Sequence, residues 1–175
     1  MSKRKTMYIF SKKSKGDVKA VAFHPVRPLF FVATEKNVLA YNLKEQVLIK
    51  KFVGANMPVG IHVHVTGEHI LAACEDQKLL WYDYDSSTAP YKTFVYHKDC
   101  LTGAHTHRKY PLMASAARDR TVHVFHAQVY QDYMQSPTVL PLKIIHTQEI
   151  PYQIAFHPKQ PWLAVALGKE IHLYI

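Results

Sequence analysis

Residues 21–33 read VAFHPVRPLFFVA, and near the other end of the chain residues 154–166 read IAFHPKQPWLAVA. Two further stretches align with them without gaps: IHVHVTGEHILAA at 61–73 and AHTHRKYPLMASA at 104–116. Each stretch places a histidine in the same column, namely His24, His64, His107 and His157, and three place a proline four residues later, Pro28, Pro111 and Pro161. Self-similarity at a near-constant spacing is the signature of a repeat architecture, so this repeat decides the fold.

Each repeat unit has the content of a small antiparallel sheet. An apolar stretch such as 18–23 leads to the histidine, a polar turn follows, and a second apolar stretch such as 29–34 comes next. A charged turn then leads to a third stretch with a large aromatic residue, and some units close with a fourth stretch. The third stretches are VLAYN at 38–42, LLWYD at 79–83, TVHVF at 121–125 and EIHLY at 170–174, and the fourth are VLIKKF at 47–52 and YKTFVY at 91–96. Such β-formers, broken by Pro, Gly and Asp every 8–12 residues or so, favour an all-β fold.

The spacing of the units predicts a WD40-type β-propeller of about four blades. The column histidines are 40, 43 and 50 residues apart, close to the period of about 40–45 residues of such blades. We expect a basic segment with an outer strand over 1–16, and blades over about 17–56, 57–96, 97–146 and 147–175. One blade cannot bury both of its faces, so the blades must stack. A closed four-bladed ring is one solution, but we favour an open half of a larger ring, whose exposed apolar face another chain or copy would cover.

Certain side chains are expected to hold the blades together rather than to carry chemistry. The structural positions are the column histidines His24, His64, His107 and His157, the third-strand aromatic Trp81 and the turn aspartate Asp119. Asp119 lies in ARDRT and resembles the aspartate that ties strands together in WD blades. Asp76 in EDQK is a second candidate, and His97 and His146 resemble the loop histidine that partners such an aspartate.

Positive charge is concentrated at the start of the chain. The formal net charge is +9, and the first 15 residues contain Lys3, Arg4, Lys5, Lys12, Lys13 and Lys15 without any acidic residue. Clustered cations bind polyanions because neutralising phosphates releases counterions. These six residues are therefore the candidate RNA-binding residues, and the alternative is a solvated basic tail.

The sequence gives little support to catalysis, to a metal or to a cofactor. Zinc sites use three or four ligands, whereas the histidines pair only as His62 with His64 and His105 with His107 on strand faces. The two cysteines, Cys74 and Cys100, are too few for a disulfide framework or a thiolate zinc site. Nucleophile-elbow, phosphate-loop and HExxH motifs are absent from the sequence,. We expect a protein that is not an enzyme; a histidine-rich metal-dependent enzyme is the alternative from another class.

The third unit carries an insertion, HAQVYQDYMQSPTVLPLKII at 126–145. Val129, Tyr130, Tyr133 and Met134 are spaced to form one short amphipathic helical turn that Pro137 would end, and VLPLKII would return as an outer strand. The segment either covers a blade edge or docks a partner. For docking, the candidate residues are Tyr130, Tyr133 and Met134.

Several segments together resemble one known family. The stretch KYPLMASAARDRTVHVFHAQVYQDYMQSPTVLPLKII at 109–145 is similar to the late blades of the block-of-proliferation ribosome biogenesis proteins. Further similar segments are SKRK at 2–5, KKSKG at 12–16, FHPVRPLFFVAT at 23–34, YNLKEQVLIKK at 41–51, APYKTFVYHKD at 89–99 and FHPKQPW at 156–162. They follow the family's order, and a generic WD repeat lacks the insertion between VFH and PLK.

The resemblance implies a non-enzymatic scaffold in maturation of the large ribosomal subunit and its rRNA, in the nucleolus and nucleus. It implies a WD-repeat partner within the PeBoW complex, and contact with pre-60S particles and rRNA. The chain is short relative to the family, and the long N-terminal region associated with pescadillo binding has no counterpart here, so pescadillo binding is not carried over. A generic WD-repeat interaction module without a ribosomal role is the alternative.

Overall fold

The computed structural model describes residues 16–127 and 139–175. Over these residues the chain forms strands and no helix, arranged as four antiparallel sheets. The first sheet contains β1 (Val18–Phe23), β2 (Leu29–Thr34), β3 (Val38–Asn42) and β4 (Val47–Phe52), and the second contains β5 (Pro58–Val63), β6 (His69–Cys74), β7 (Leu79–Asp83) and β8 (Lys92–Phe94). The third contains β9 (Leu101–Thr106), β10 (Leu112–Ala117), β11 (Thr121–His126) and β12 (Pro141–His146), and the fourth contains β13 (Pro151–Phe156), β14 (Leu163–Leu167) and β15 (Glu170–Tyr174).

The register of the second and third strands is the same in every sheet. The residue near the start of the second strand lies opposite the aromatic residue of the third strand. The pairs are Phe30 with Tyr41, Ile70 with Tyr82, Met113 with Phe125, and Leu163 with Tyr174. Directly opposed apolar side chains are the unit that stabilises an antiparallel pair, so the sequence repeat is also a repeat of packing.

Successive sheets pack face to face over three apolar clusters. Phe31 and Phe52 of the first sheet pack with Ile70 and Tyr82 of the second. The other face of the second sheet meets the third, and the other face of the third meets the fourth. Alternation along each strand places neighbours on opposite faces, so both faces of the middle sheets are buried. Small residues such as Ala72 and Ala114 let the sheets approach closely.

The innermost strands lie in chain order, with β1 against β5, β5 against β9, and β9 against β13. At the two ends of this row, Phe23 of β1 is 68% exposed and Ile171 of β15 is 78% exposed. The arrangement of the described residues is therefore open, and the all-β partial propeller predicted from the repeat is confirmed. The finer division into blades at the stated boundaries stays a prediction.

The fourth strand of the second sheet is shorter than predicted. Instead of spanning 91–96 it comprises only Lys92–Phe94, which pair with Leu79–Trp81. Pro90, which has no N–H to donate, precedes it, and Val95 is 59% exposed beyond it. The predicted outer strand in VLPLKII is present as β12. Among the described residues, no helix has the length and apolar character needed to span a membrane.

Candidate interaction surface

The turns that connect the first and second strands of the four sheets are built on the column histidines. Nδ1 of His24 accepts hydrogen bonds from the backbone N–H groups of Val26 and Arg27, at 3.0 and 2.9 Å. Nδ1 of His107 accepts from Lys109 and Tyr110 at 2.9 and 3.0 Å. An imidazole that accepts at Nδ1 carries its proton on Nε2, so the other edge of the ring is free to donate.

His157 and His64 occupy the same position in their own turns. Nδ1 of His157 accepts from the backbone N–H groups of Lys159 and Gln160, at 3.2 and 3.0 Å. Nδ1 of His64 lies 3.0 Å from the hydroxyl of Thr66 and 3.4 Å from its N–H. In this structure the predicted column of histidines therefore organises the turns.

The same rings reach from one turn to the next. Nε2 of His107 lies 2.7 Å from the carbonyl oxygen of Gln160 in the fourth turn. The second turn packs directly on His24, since a Cβ added to Gly67 would lie 2.0 Å from the ring. Arg27 also pairs with Asp85, in the loop that follows β7, at 3.3 Å. The turns thus form one connected surface on one side of the sheets, which we call the turn surface (residues 24–28, 64–68, 107–111 and 157–161).

A buried polar network holds the third sheet together. Nδ1 of His97 lies 3.0 Å from Oδ2 of Asp119, and Nε2 of His97 lies 2.8 Å from the hydroxyl of Ser115. The Thr121 hydroxyl donates to Oδ1 of Asp119 at 2.6 Å, and the N–H of Lys98 donates to Oδ2 at 2.8 Å. Asp119 therefore ties the turn before β11 to the loop before β9.

Burial and charge set the protonation states in this network. Desolvation lowers the pKa of His97, although the Asp119 carboxylate opposes the shift. Desolvation would raise the pKa of Asp119, but hydrogen bonds from Thr121 and Lys98 and the nearby His97 bring it below its ordinary value. Desolvation lowers the pKa of His123, which stacks on His97 with 4.0 Å between ring centroids, to about 4. Near neutral pH the network is a carboxylate and two uncharged imidazoles.

The order Ser115, His97, Asp119 repeats the hydrogen-bond order of a catalytic triad. A serine nucleophile must reach a substrate, whereas Ser115 is fully buried and His97 is 5% exposed. The geometry therefore supports a structural role that joins strands. Sequence analysis singled out Asp119 and His97 but missed Ser115, because no local pattern marks a buried serine hydroxyl within a strand.

Asp76, the second candidate turn aspartate, has a different partner. Its Oδ2 lies 2.6 Å from the ammonium of Lys78, and not against a histidine. His146, the second candidate loop histidine, is exposed. The fourth sheet turns through Gly168 and Lys169 between β14 and β15, so it offers no aspartate there. Among the described residues, the hydrogen bond between a loop histidine and a turn aspartate occurs in the third sheet alone.

A cleft of about 270 Å³ opens on the turn surface between the second and third sheets. Trp81 and Met113 form its apolar floor, and Arg108, Lys109 and Tyr110 of the third turn line one wall. Trp81 is 2% exposed, and its indole Nε1 has no hydrogen-bond partner among the described residues. Arg108 and Lys109 are exposed, and the ammonium of Lys109 lies 5.5 Å from the centroid of the Tyr110 ring. The cleft combines cations, aromatic rings and an unsatisfied donor.

The histidines expected to pair along single strands pair instead between sheets. The rings of His62 in β5 and His105 in β9 contact each other at a tilt of 38°, with 4.0 Å between centroids. His64 and His107 lie in the turns, because β5 ends at Val63 and β9 ends at Thr106. Desolvation, with His105 adding to it, lowers the pKa of His62 to about 3. No group of three or more metal-ligating side chains occurs in the part of the chain that the structure describes.

Two sets of predicted residues lie outside the described residues. The basic residues Lys3, Arg4, Lys5, Lys12, Lys13 and Lys15 all precede residue 16, and the docking candidates Tyr130, Tyr133 and Met134 fall between 127 and 139. Both assignments stay predictions. Arg108, Lys109 and Lys159 are exposed cations on the turn surface that sequence analysis did not single out, because their grouping depends on the stacking of the sheets.

Sequence comparison finds relatives over nearly the whole chain. It is 44% identical to the ribosome biogenesis protein BOP1 homolog of Chlamydomonas reinhardtii, over 99% of this chain and 23% of that protein. The BOP1 homolog of Drosophila sechellia is 40% identical over 99% of this chain and 23% of its own length, and that of Drosophila virilis is 41% identical over 93% and 22%. The chain spans less than a quarter of the length of these relatives. No protein-family model matches it.

Proposed function

Since this chain is related to the BOP1 homologs of ribosome biogenesis, as its resemblance to the block-of-proliferation family predicted, we propose that it is a non-enzymatic scaffold in assembly of the large ribosomal subunit. The observation that carries the proposal is identity of 40–44% over 93–99% of the chain. Because the chain spans only part of those proteins, each role below is proposed for this chain in its own right.

The proposed scaffold binds pre-ribosomal RNA through cations. Six basic residues precede residue 16, and Arg108, Lys109 and Lys159 add exposed positive charge on the turn surface. Phosphate contacts of this kind position a protein on RNA without reading its sequence. The half-buried Tyr110 in the cleft adds an aromatic ring, and unpaired bases stack on such rings. Such a protein would work in the nucleolus and nucleus, where pre-60S particles carry their rRNA.

The scaffold would also bind a WD-repeat protein, the partner that the family resemblance implies. The insertion with Tyr130, Tyr133 and Met134 is the proposed docking segment, because aromatic and methionine side chains are enriched where proteins meet. Pescadillo binding is not part of the proposal. The buried Ser115 and the largely buried His97 give a substrate no access, so this trio has a structural part in the proposed scaffold.

RNA contact is tested by the salt dependence of binding to a single-stranded RNA oligonucleotide. Each phosphate neutralised contributes about 0.7 to the slope of log K against log salt concentration for single strands. Replacing Lys3, Arg4, Lys5, Lys12, Lys13 and Lys15 by alanine should flatten that slope. A matched variant that replaces Arg108, Lys109 and Lys159 shows how much the turn surface contributes.

The ribosomal role is tested separately in cells. A tagged chain should co-sediment with large-subunit precursors on a sucrose gradient and carry pre-rRNA with it. The alternative, a generic WD-repeat interaction module, predicts protein partners without co-sedimentation. Unchanged slopes in both alanine variants would place the RNA surface elsewhere or show that there is none. Absence from the precursor fractions would remove the ribosomal role.

A further inference from the structure

The two ends of the row of sheets expose apolar faces that have no partner within the described residues. On the first sheet, Val21 lies opposite Val32 and Phe23 opposite Phe30, on the face turned away from the second sheet. We call these four residues the leading face. Val21 and Phe23 are 56% and 68% exposed, and the Phe23 and Phe30 rings lie 5.2 Å apart.

The other exposed face belongs to the fourth sheet. Leu163, Val165 and Leu167 of β14 point toward the third sheet, so the alternate residues of β14 point away from it. Ala164 lies opposite Leu173, and Ala166 opposite Ile171. We call these four residues the trailing face. Leu173 and Ile171 are 56% and 78% exposed.

Both faces repeat, position by position, the two sides of an interface that the chain already forms. Where the third and fourth sheets pack, the fourth contributes Ile154 opposite Val165 and Phe156 opposite Leu163. These pairs occupy the same register as the two pairs of the leading face. Three positions keep their branched or aromatic character, and at the fourth Phe30 stands where the fourth sheet has the aliphatic Leu163.

The third sheet contributes the complementary side of that interface. It places Ala114 opposite Val124 and Ala116 opposite Val122, packed on the fourth sheet. The two pairs of the trailing face occupy the same register, with alanine on the second strand and an aliphatic residue on the third. A trailing face set against a leading face would therefore recreate the packing between the third and fourth sheets.

We propose that the trailing face of one copy of this chain stacks on the leading face of a second copy, and the reverse, closing a ring of eight sheets. None of the eight residues that define the two faces is charged, so their own burial carries no desolvation penalty for an ion. A head-to-tail contact is heterologous, and it makes a closed ring only when the copies complete a full turn. Two copies of four sheets give eight, the upper end of the usual range of about four to eight blades. The proposal is independent of the ribosomal role.

The first test is the mass of the full chain in solution, measured by sedimentation equilibrium. The proposal predicts a species of twice 20.2 kDa. Phe23→Asp on the leading face and Leu173→Asp on the trailing face should each give the 20.2 kDa monomer, because each change alters both contacts of a symmetric pair. Val95→Asp changes a residue of comparable exposure, 59%, outside both faces and should leave the dimer intact.

Mixing the two single variants separates head-to-tail stacking from other dimers. One contact in the mixture joins an unaltered trailing face to an unaltered leading face, so a weaker one-to-one dimer should reappear. Far-UV circular dichroism and a thermal transition show that each variant is folded. A monomeric parent chain, a dimer that survives either aspartate, or a mixture that stays monomeric would overturn the proposal.

Discussion

Nε2 of His107 lies 2.7 Å from the carbonyl oxygen of Gln160, a residue 53 positions later in the chain and in the next turn of the turn surface. At its other edge the same ring accepts two backbone N–H groups of its own turn. One buried side chain thus shapes a turn and fastens it to its neighbour, and the repeat of histidine in the sequence is a repeat of this connection.

His107→Phe should lower the free energy of unfolding by about 3 kcal/mol. Phenylalanine keeps a ring in this fully buried position but leaves two N–H groups and one carbonyl without partners, and a buried unpaired group costs roughly 1–3 kcal/mol. Urea denaturation measures the loss. His157→Phe is the matched control, since that turn is exposed and water replaces the lost bonds. Equal losses in the two variants would contradict the linking role of His107.

Ser115→Ala should destabilise the chain by about 1–3 kcal/mol, because Nε2 of the buried His97 loses its hydrogen-bond donor,. The RNA affinity of the folded variant should not change. The control is Ser87→Ala, where an exposed hydroxyl bonds to the carbonyl of Ala89 at 2.8 Å; a change within about 0.5 kcal/mol is expected there. If Ser115→Ala proved as neutral as the control, the network would not contribute to stability.

Acid should destabilise the chain below pH 6.5. The pKa of His62 is about 3 and that of His123 about 4 in the folded chain, against 6.5 as the ordinary value. Between these values the unfolded chain binds protons that the folded chain excludes, so the free energy of unfolding falls as pH falls, by at most about 1.4 kcal/mol per pH unit for each histidine. Stability is fully retained above pH 6.5.

Denaturant titrations at several pH values measure that slope. His62→Gln removes one excluded proton and should flatten the slope between pH 6 and 4, while His157→Gln replaces an exposed ring as the control. If the slope were the same in the parent chain and in His62→Gln, protonation of His62 would not lower the free energy of unfolding.

Gly67→Ala should be among the most damaging single-methyl changes. The φ of Gly67 is +83°, a left-handed backbone conformation that alanine disfavours because of its Cβ,. An added Cβ would also lie 2.0 Å from the His24 ring, so the turn would have to move. We expect a loss of about 2 kcal/mol or more. Gly60→Ala in β5 is the control, because a Cβ there meets nothing within 4 Å. Thermal melts compare the midpoints of the two variants. Similar midpoints would contradict the close approach of Gly67 to His24.

The strands were predictable because their signal is local. Leu29–Thr34, Val38–Asn42 and Leu163–Leu167 follow the apolar stretches of the repeat residue for residue, because each is a run of β-forming residues bounded by polar turns. Asp119 and His97 were predictable from their positions in the repeat. The partner of His97, Ser115, was not, because a serine in a strand carries no pattern that separates a buried hydroxyl from a solvated one.

The sequence by itself determined the number of units, the strands within them and the histidine at each turn, because repeated composition fixes repeated local structure. Only the tertiary structure decided which units touch and which side chains meet. It placed His62 against His105, formed the cleft over Trp81 and left the leading and trailing faces without a partner among the residues that the structure describes. These relationships join residues far apart in the chain, and they depend on the distance and rotation between stacked sheets, which no single repeat encodes.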